Sequence, residues 1–235
     1  MNKSKVQVKE ITIAYKPTVM DSYKNGWNKM WKYFLELFLI SLIAFLISIP
    51  NGLWYAFTEF PEVEGIGALF FGVVALYVWL FTLAYSLLLI RPIEYGMSFA
   101  HLKAARDDKL EVKHMFEVFK NYWNAVLANI LVGLIVIIGF IFLIVPGIFL
   151  ACKLAFVPYI VVDRKLDVIE AIKESWDLTD GYALDVFAIA LLAIPISIGG
   201  FLLFFIGIII SVIWIRLSFA SLYHAVSVAK GEIKE

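Results

Sequence analysis

Apolar positions run along this chain in long blocks separated by cationic segments. Residues 33–90, a stretch of 58, contain no Lys or Arg; residues 121–163 contain only Lys153, and residues 174–229 only Arg216. Blocks this long and this poor in charge predict helices that cross a membrane. The 44-residue run from Ala183 to Val226 would be about 66 Å long as one helix, twice a hydrocarbon core of about 30 Å, so it is expected to fold back on itself. Gly199-Gly200 supplies the expected turn, which belongs at an interface because unpaired backbone groups are costly in lipid. Tyr122–Val162 has the same form, with Pro146-Gly147 as its turn. The first block predicts helices near 33–57 and 66–90, separated by a segment holding Glu59, Pro61, Glu62 and Glu64.

The cationic segments carry a helical period of their own. Thr18, Asp108 and Asp167 each read as an N-cap with an acidic residue three positions on, namely Asp21, Glu111 and Glu170. Met20, Tyr23, Trp27, Met30 and Trp31 would share one face of the first helix so started. Met115, Phe116, Phe119, Tyr122 and Trp123 do so in the second, and Ile169, Ile172 and Trp176 in the third. The predicted fold is therefore all-α, a polytopic membrane helical bundle of six transmembrane helices in three hairpins, each preceded by an amphipathic cytoplasmic helix. Residues 1–17 form an N-terminal arm, 18–230 a single membrane domain with approximate repeats 18–90, 108–162 and 167–226, and 231–235 a tail. The spacing from cap to outer turn is similar in each repeat: Thr18 to Pro50, Asp108 to Pro146, Asp167 to Gly200. In the arm, Val6, Val8, Ile11, Ile13 and Tyr15 predict a short extended segment closed by Lys16-Pro17.

Charge placement orients the bundle. The three expected outer turns carry no Lys or Arg, whereas the arm, the loops at 91–121 and 163–181 and the tail do. The positive-inside rule then predicts a multi-pass protein of the cell (plasma or inner) membrane with both termini cytoplasmic. About 33 polar and amphipathic residues precede the first apolar block, so the N-terminal segment is expected to be retained rather than cleaved as a signal peptide. At 62% hydrophobic and mean hydropathy +0.87 the chain is more apolar than soluble domains. Its 20 basic and 20 acidic residues balance, which gives no pull toward nucleic acid. The single cysteine, Cys152, can form no internal disulfide.

Several positions carry a family resemblance: Pro92 and Gly96, Phe116 and Phe119, Pro146-Gly147, Asp163, Glu170-Ala171-Ile172, Ser175-Trp176, Leu178-Thr179, Gly181, Ala220 and Tyr223. On these the chain resembles the uncharacterised six-helix bacterial and archaeal membrane proteins related to the membrane domain of glycerophosphoryl diester phosphodiesterases. The resemblance implies a six-helix membrane domain and no established activity, since the phosphodiesterase chemistry belongs to a separate catalytic domain. Physically, Trp176 suits an interfacial aromatic belt, Thr179 or Asp180 could cap the fifth crossing helix, and Gly181 permits a sharp bend.

Ionisable groups at membrane depth are the remaining functional clue. Arg216 lies 16 positions after Gly200, about 24 Å along a helix, so it is expected near the inner surface with Glu36 and Asp185 as candidate charge partners. Lys153 lies six positions past Gly147, about 9 Å below the outer turn, where no carboxylate shares its depth. It is expected to snorkel outward or to contact an anion. Lys153 and Arg216 are thus the candidate lipid or anion contacts. Stripes of small residues, Gly147, Ala151 and Ala155 and again Gly207 and Ser211, offer close-approach faces for helices of this chain or of a second copy. His101, His114 and His224 stand apart without metal spacing, and no nucleophile, phosphate-loop or zinc pattern occurs, so no catalytic residue, metal or cofactor is expected. The favoured reading is a non-enzymatic scaffold, assembly or accessory protein. Its partners would be membrane lipids, held partly through Lys29, Lys32, Lys113, Lys120 and Lys173, and possible protein partners or further copies of itself. The alternative is a transporter or lipid-moving protein that uses Lys153 and Arg216 together on an anionic substrate.

Overall fold

The computed structural model describes residues 16–56 and 65–231, and every element in it is helical. In chain order these are α1 (Val19–Lys32), α2 (Phe34–Ala56), α3 (Ile66–Tyr85), a π-helical turn (Ser86–Ile90), α4 (Arg91–Ala105), a 3₁₀ helix (Val112–Asn121) and α5 (Tyr122–Phe142). Then follow α6 (Ile144–Lys153), α7 (Val157–Asp163), α8 (Val168–Leu178), α9 (Ala183–Leu202) and α10 (Phe204–Ala229). Six helical stretches are long and apolar enough to cross a membrane. The N-terminal alternation and the segment with Glu59, Pro61, Glu62 and Glu64 lie outside the described residues.

Two of the expected turns move. α5 and α6 fold back at Leu143, which is extended at φ −168°, and Pro146 sits inside the first turn of α6. α9 and α10 meet at Leu203 instead of Gly199-Gly200. Pro50 likewise lies within α2. The glycines serve close approach. A Cβ on Gly200 would stand 2.1 Å from Ser211 Oγ and 2.6 Å from the Gly207 carbonyl, and one on Gly139 would stand 3.0 Å from Gly147 Cα. The small-residue positions Gly147, Gly207 and Ser211 are thus used where α5 meets α6 and α9 meets α10.

The expected loop at 91–121 is mostly helix. α4 continues the line of α3 through the π turn, and eleven of its 15 residues are buried. Asp108 caps nothing here: the 3₁₀ helix starts behind Glu111, whose carboxylate accepts from the backbone of His114 while the His114 ring accepts from Glu111 N at 3.0 Å. In a 3₁₀ helix residues i and i+3 eclipse. Phe116, Phe119 and Tyr122 accordingly stack in a column, with centroids 6.3 and 5.9 Å apart and planes within 17°. This column faces outward, and Met115 and Val118 fill the core instead.

The two other amphipathic helices also dock onto protein. α1 begins at Thr18, whose Oγ1 accepts from Asp21 N at 3.3 Å. It lies along α10, where Gly26 meets Ser218 and Trp214 Nε1 donates to Tyr23 O at 2.9 Å. In α8 the buried positions are Ala171, Ser175 and Leu178, while Ile169 and Trp176 stay exposed. Asp167 precedes α8 as expected but makes no cap bond; its carboxylate accepts from Asn124 at 3.1 Å.

Burial divides the molecule. The core gathers around α4, α7 and the second half of α10, where Phe156 and Tyr159 pack on Tyr223. The apolar faces of α2, α3, α9 and the α5–α6 tip remain uncovered, with Phe142 at 77% and Leu184 at 81% exposure.

Candidate functional site

Lys153 ends α6, and the helix breaks behind it because Pro158 has no N–H to offer Leu154. Val157 N–H turns to Leu154 O at 3.2 Å, which leaves the Lys153 carbonyl without a helical donor. α8 supplies one. Ser175 Oγ donates to Lys153 O at 2.8 Å, and Thr179 Oγ1 lies 3.2 Å from the same oxygen and 2.8 Å from Ser175 O. Both hydroxyl residues are fully buried. The Ser175-Trp176 and Leu178-Thr179 pairs therefore fasten α8 to a broken helix.

The Lys153 side chain is caught by the same helix. Its Nζ lies 3.0 Å from Asp180 Oδ1, over the rings of Trp176 and Phe149 at 5.3 and 5.8 Å, and the residue is only 4% exposed. This corrects the expectation of an unpartnered lysine near an outer turn. Lys153 holds the Asp180 carboxyl below the usual carboxylate range, chiefly through their hydrogen bond. Thr179 and Asp180 are thereby committed, and α9 starts instead behind Tyr182, with Gly181 at φ 83° making the expected bend.

Two further ion pairs join neighbouring elements. Arg106 after α4 grips Asp163 at the end of α7 through two parallel bonds of 2.7 Å, and Arg164 pairs with Glu174 of α8. The fork needs residues 57 positions apart, so no local spacing announced it. Lys29 and Lys32 converge on Asp107 at 3.1 and 2.5 Å, and Lys113 binds Glu111 at 2.5 Å. These three lysines have protein carboxylates as partners as well as any lipid.

Arg216 has a different setting. It lines a cleft of about 200 Å³ where α2, α4 and α10 meet, together with Ser41, Ser48, Glu94, Met97 and Val212. Among the described residues it forms no ion pair; Glu94 is taken by Arg91 at 3.0 Å, and neither Glu36 nor Asp185 reaches it. No residue contacting Lys153 lines this cleft, so the two candidate cations do not share a site. Two other clefts, between α6 and α9, are walled by apolar side chains including Cys152 and Phe187.

His101 is buried with Nδ1 2.7 Å from Met97 O, His114 caps the 3₁₀ helix, and His224 packs inside α10. Among the described residues no three His, Cys, Asp or Glu stand close enough to hold a metal ion.

Residues 117–231, just under half of the chain, match a domain of unknown function, DUF7847. The match spans Lys153, Ser175, Thr179, Asp180 and Arg216. No curated protein and no solved structure matches this chain significantly.

Proposed function

We propose that this chain is a non-enzymatic integral membrane protein, a scaffold or accessory module whose outer helices contact lipids or a partner protein. One observation carries the reading. Large apolar side chains stay uncovered over α2, α3, α9 and the α5–α6 tip, with Ile141 and Phe142 at 77% and Val145 at 76% exposure. A surface of that extent is tolerated in hydrocarbon or under another protein but not in water. Polar groups of the interior, by contrast, fasten helices to one another at Lys153 and Asp163.

On this reading the cation-bearing face, with Lys29, Lys32, Lys103 and Lys109, is cytoplasmic, as are both termini, in the cell membrane. Reconstitution of the purified chain into sealed vesicles tests the proposal. Labelled phospholipids and small anions are expected to cross no faster than in empty vesicles. Flux that disappears in Lys153→Met or Arg216→Gln would replace the scaffold with a transporter.

A further inference from the structure

We infer that the cleft between α2, α4 and α10 holds one anionic glycerophospholipid, with its phosphodiester on Arg216. The inference rests on the membrane reading above and adds a ligand to it. Stripes at helical spacing from three elements build the site, with Ser41, Ala44 and Ser48 from α2, Glu94 and Met97 from α4, and Arg216 from α10.

Charge selects the ligand. Glu94 is the carboxylate among the lining residues, and it is paired with Arg91 at 3.0 Å, which leaves the Arg216 guanidinium without a carboxylate partner among the described residues. A guanidinium at membrane depth with no carboxylate partner is costly unless an anion meets it. A phosphodiester carries one negative charge and accepts the paired N–H donors of a guanidinium.

Depth and shape select a lipid as its source. Arg216 stands thirteen residues past the Leu203 turn, about 20 Å along α10 and so in the half of the helix nearer its C-terminal end. Phe45 at 65% and Val212 at 38% exposure flank the cleft on the uncovered surface, where an acyl chain can lie. The volume of about 200 Å³ suits a headgroup and leaves the chains outside.

Native mass spectrometry of the purified full chain, stripped of lipid and then titrated, tests the site. The probes are dioleoyl phosphatidylglycerol, dioleoylglycerol and glycerol 3-phosphate. One phosphatidylglycerol is expected to be retained, dioleoylglycerol is not, and glycerol 3-phosphate is not expected to displace the lipid. Arg216→Gln should weaken retention about tenfold or more, and Arg216→Lys less, as expected for loss of a charge-assisted contact. Ala44→Leu, which narrows the cleft and spares the charge, should weaken it as well, and it decides the matter if Arg216→Gln does not fold. Equal retention by the parent and either variant overturns the inference, as does equal retention of dioleoylglycerol. Competition by glycerol 3-phosphate would assign the cleft to a soluble phosphate. Extraction of the protein from membranes by alkaline carbonate would instead remove the membrane reading, a result distinct from each of these.

Discussion

The Lys153 carbonyl meets two hydroxyl groups, and that redundancy governs what single substitutions do. Ser175→Ala leaves Thr179 within 3.2 Å of the oxygen, and Thr179→Val leaves Ser175 at 2.8 Å. Each change is expected to cost under about 1 kcal/mol. The double variant strands a buried acceptor and should cost about 1–3 kcal/mol, more than the sum of the two. Denaturant unfolding in detergent measures all three, and additive losses would mean that the carbonyl has another donor. Asp107 offers a pH test. Hydrogen bonds from Lys32, then Lys29 and Tyr33, hold its pKa down to about 2. A depressed carboxylate stabilises above its unfolded pKa of about 4, and the contribution fades as pH falls through about 2. Asp107→Asn keeps the left-handed backbone, φ 67°, and removes the charge. With the carboxylate side chain 42% exposed, the loss is expected to stay under about 1 kcal/mol at pH 7 and to vanish near pH 2. Lys153 was legible as a buried cation, but not its partner. Counting from Pro146-Gly147 gives the depth of Lys153 alone, and the depth of Asp180 depends on how α8 docks, which no local spacing encodes.

Glycine chemistry separates contact from permission at the level of elements. A Cβ on Gly96 would fall 1.8 Å from the Met115 carbonyl, so α4 and the 3₁₀ helix touch backbone to backbone. Gly96→Ala must drive them apart and is expected to abolish folded protein or to cost more than about 3 kcal/mol. Gly133 in α5 has no neighbour within 4 Å of such an atom. Gly133→Ala should stabilise by up to about 1 kcal/mol through helix propensity alone. Thermal unfolding of the two variants side by side checks both, and a stable Gly96→Ala would refute the close contact. The sequence alone does not separate the two, because what a glycine faces belongs to another helix. The same limit moved the turns to Leu143 and Leu203. It did not affect helix existence, since the apolar blocks alone dictate helical stretches long enough to span.

At the scale of the molecule, charge asymmetry predicts which lysines a membrane-impermeant reagent can reach. Lys109, 87% exposed, and Lys113, 70% exposed, should stay unmodified by an amine-reactive label on intact cells and become modified after lysis. Labelling in intact cells would invert the orientation. Blocks and charges made the membrane class readable, whereas the buried layer around α4 was not readable. The stretch from Arg91 to Ala105 mixes charged and apolar residues as a loop would, and only packing against α2, α7 and α10 turns it into core. That layer is continuous with α3: from Ile66 to Ala105 the chain makes one helical rod of 40 residues, about 60 Å, interrupted only by a π turn. One end stands among uncovered apolar side chains, and the other abuts Asp107 and its two lysines. The half from Ile66 to Tyr85 is largely uncovered and the half from Arg91 to Ala105 is largely buried, so whatever covers the first half of the rod does for it what the core already does for the second.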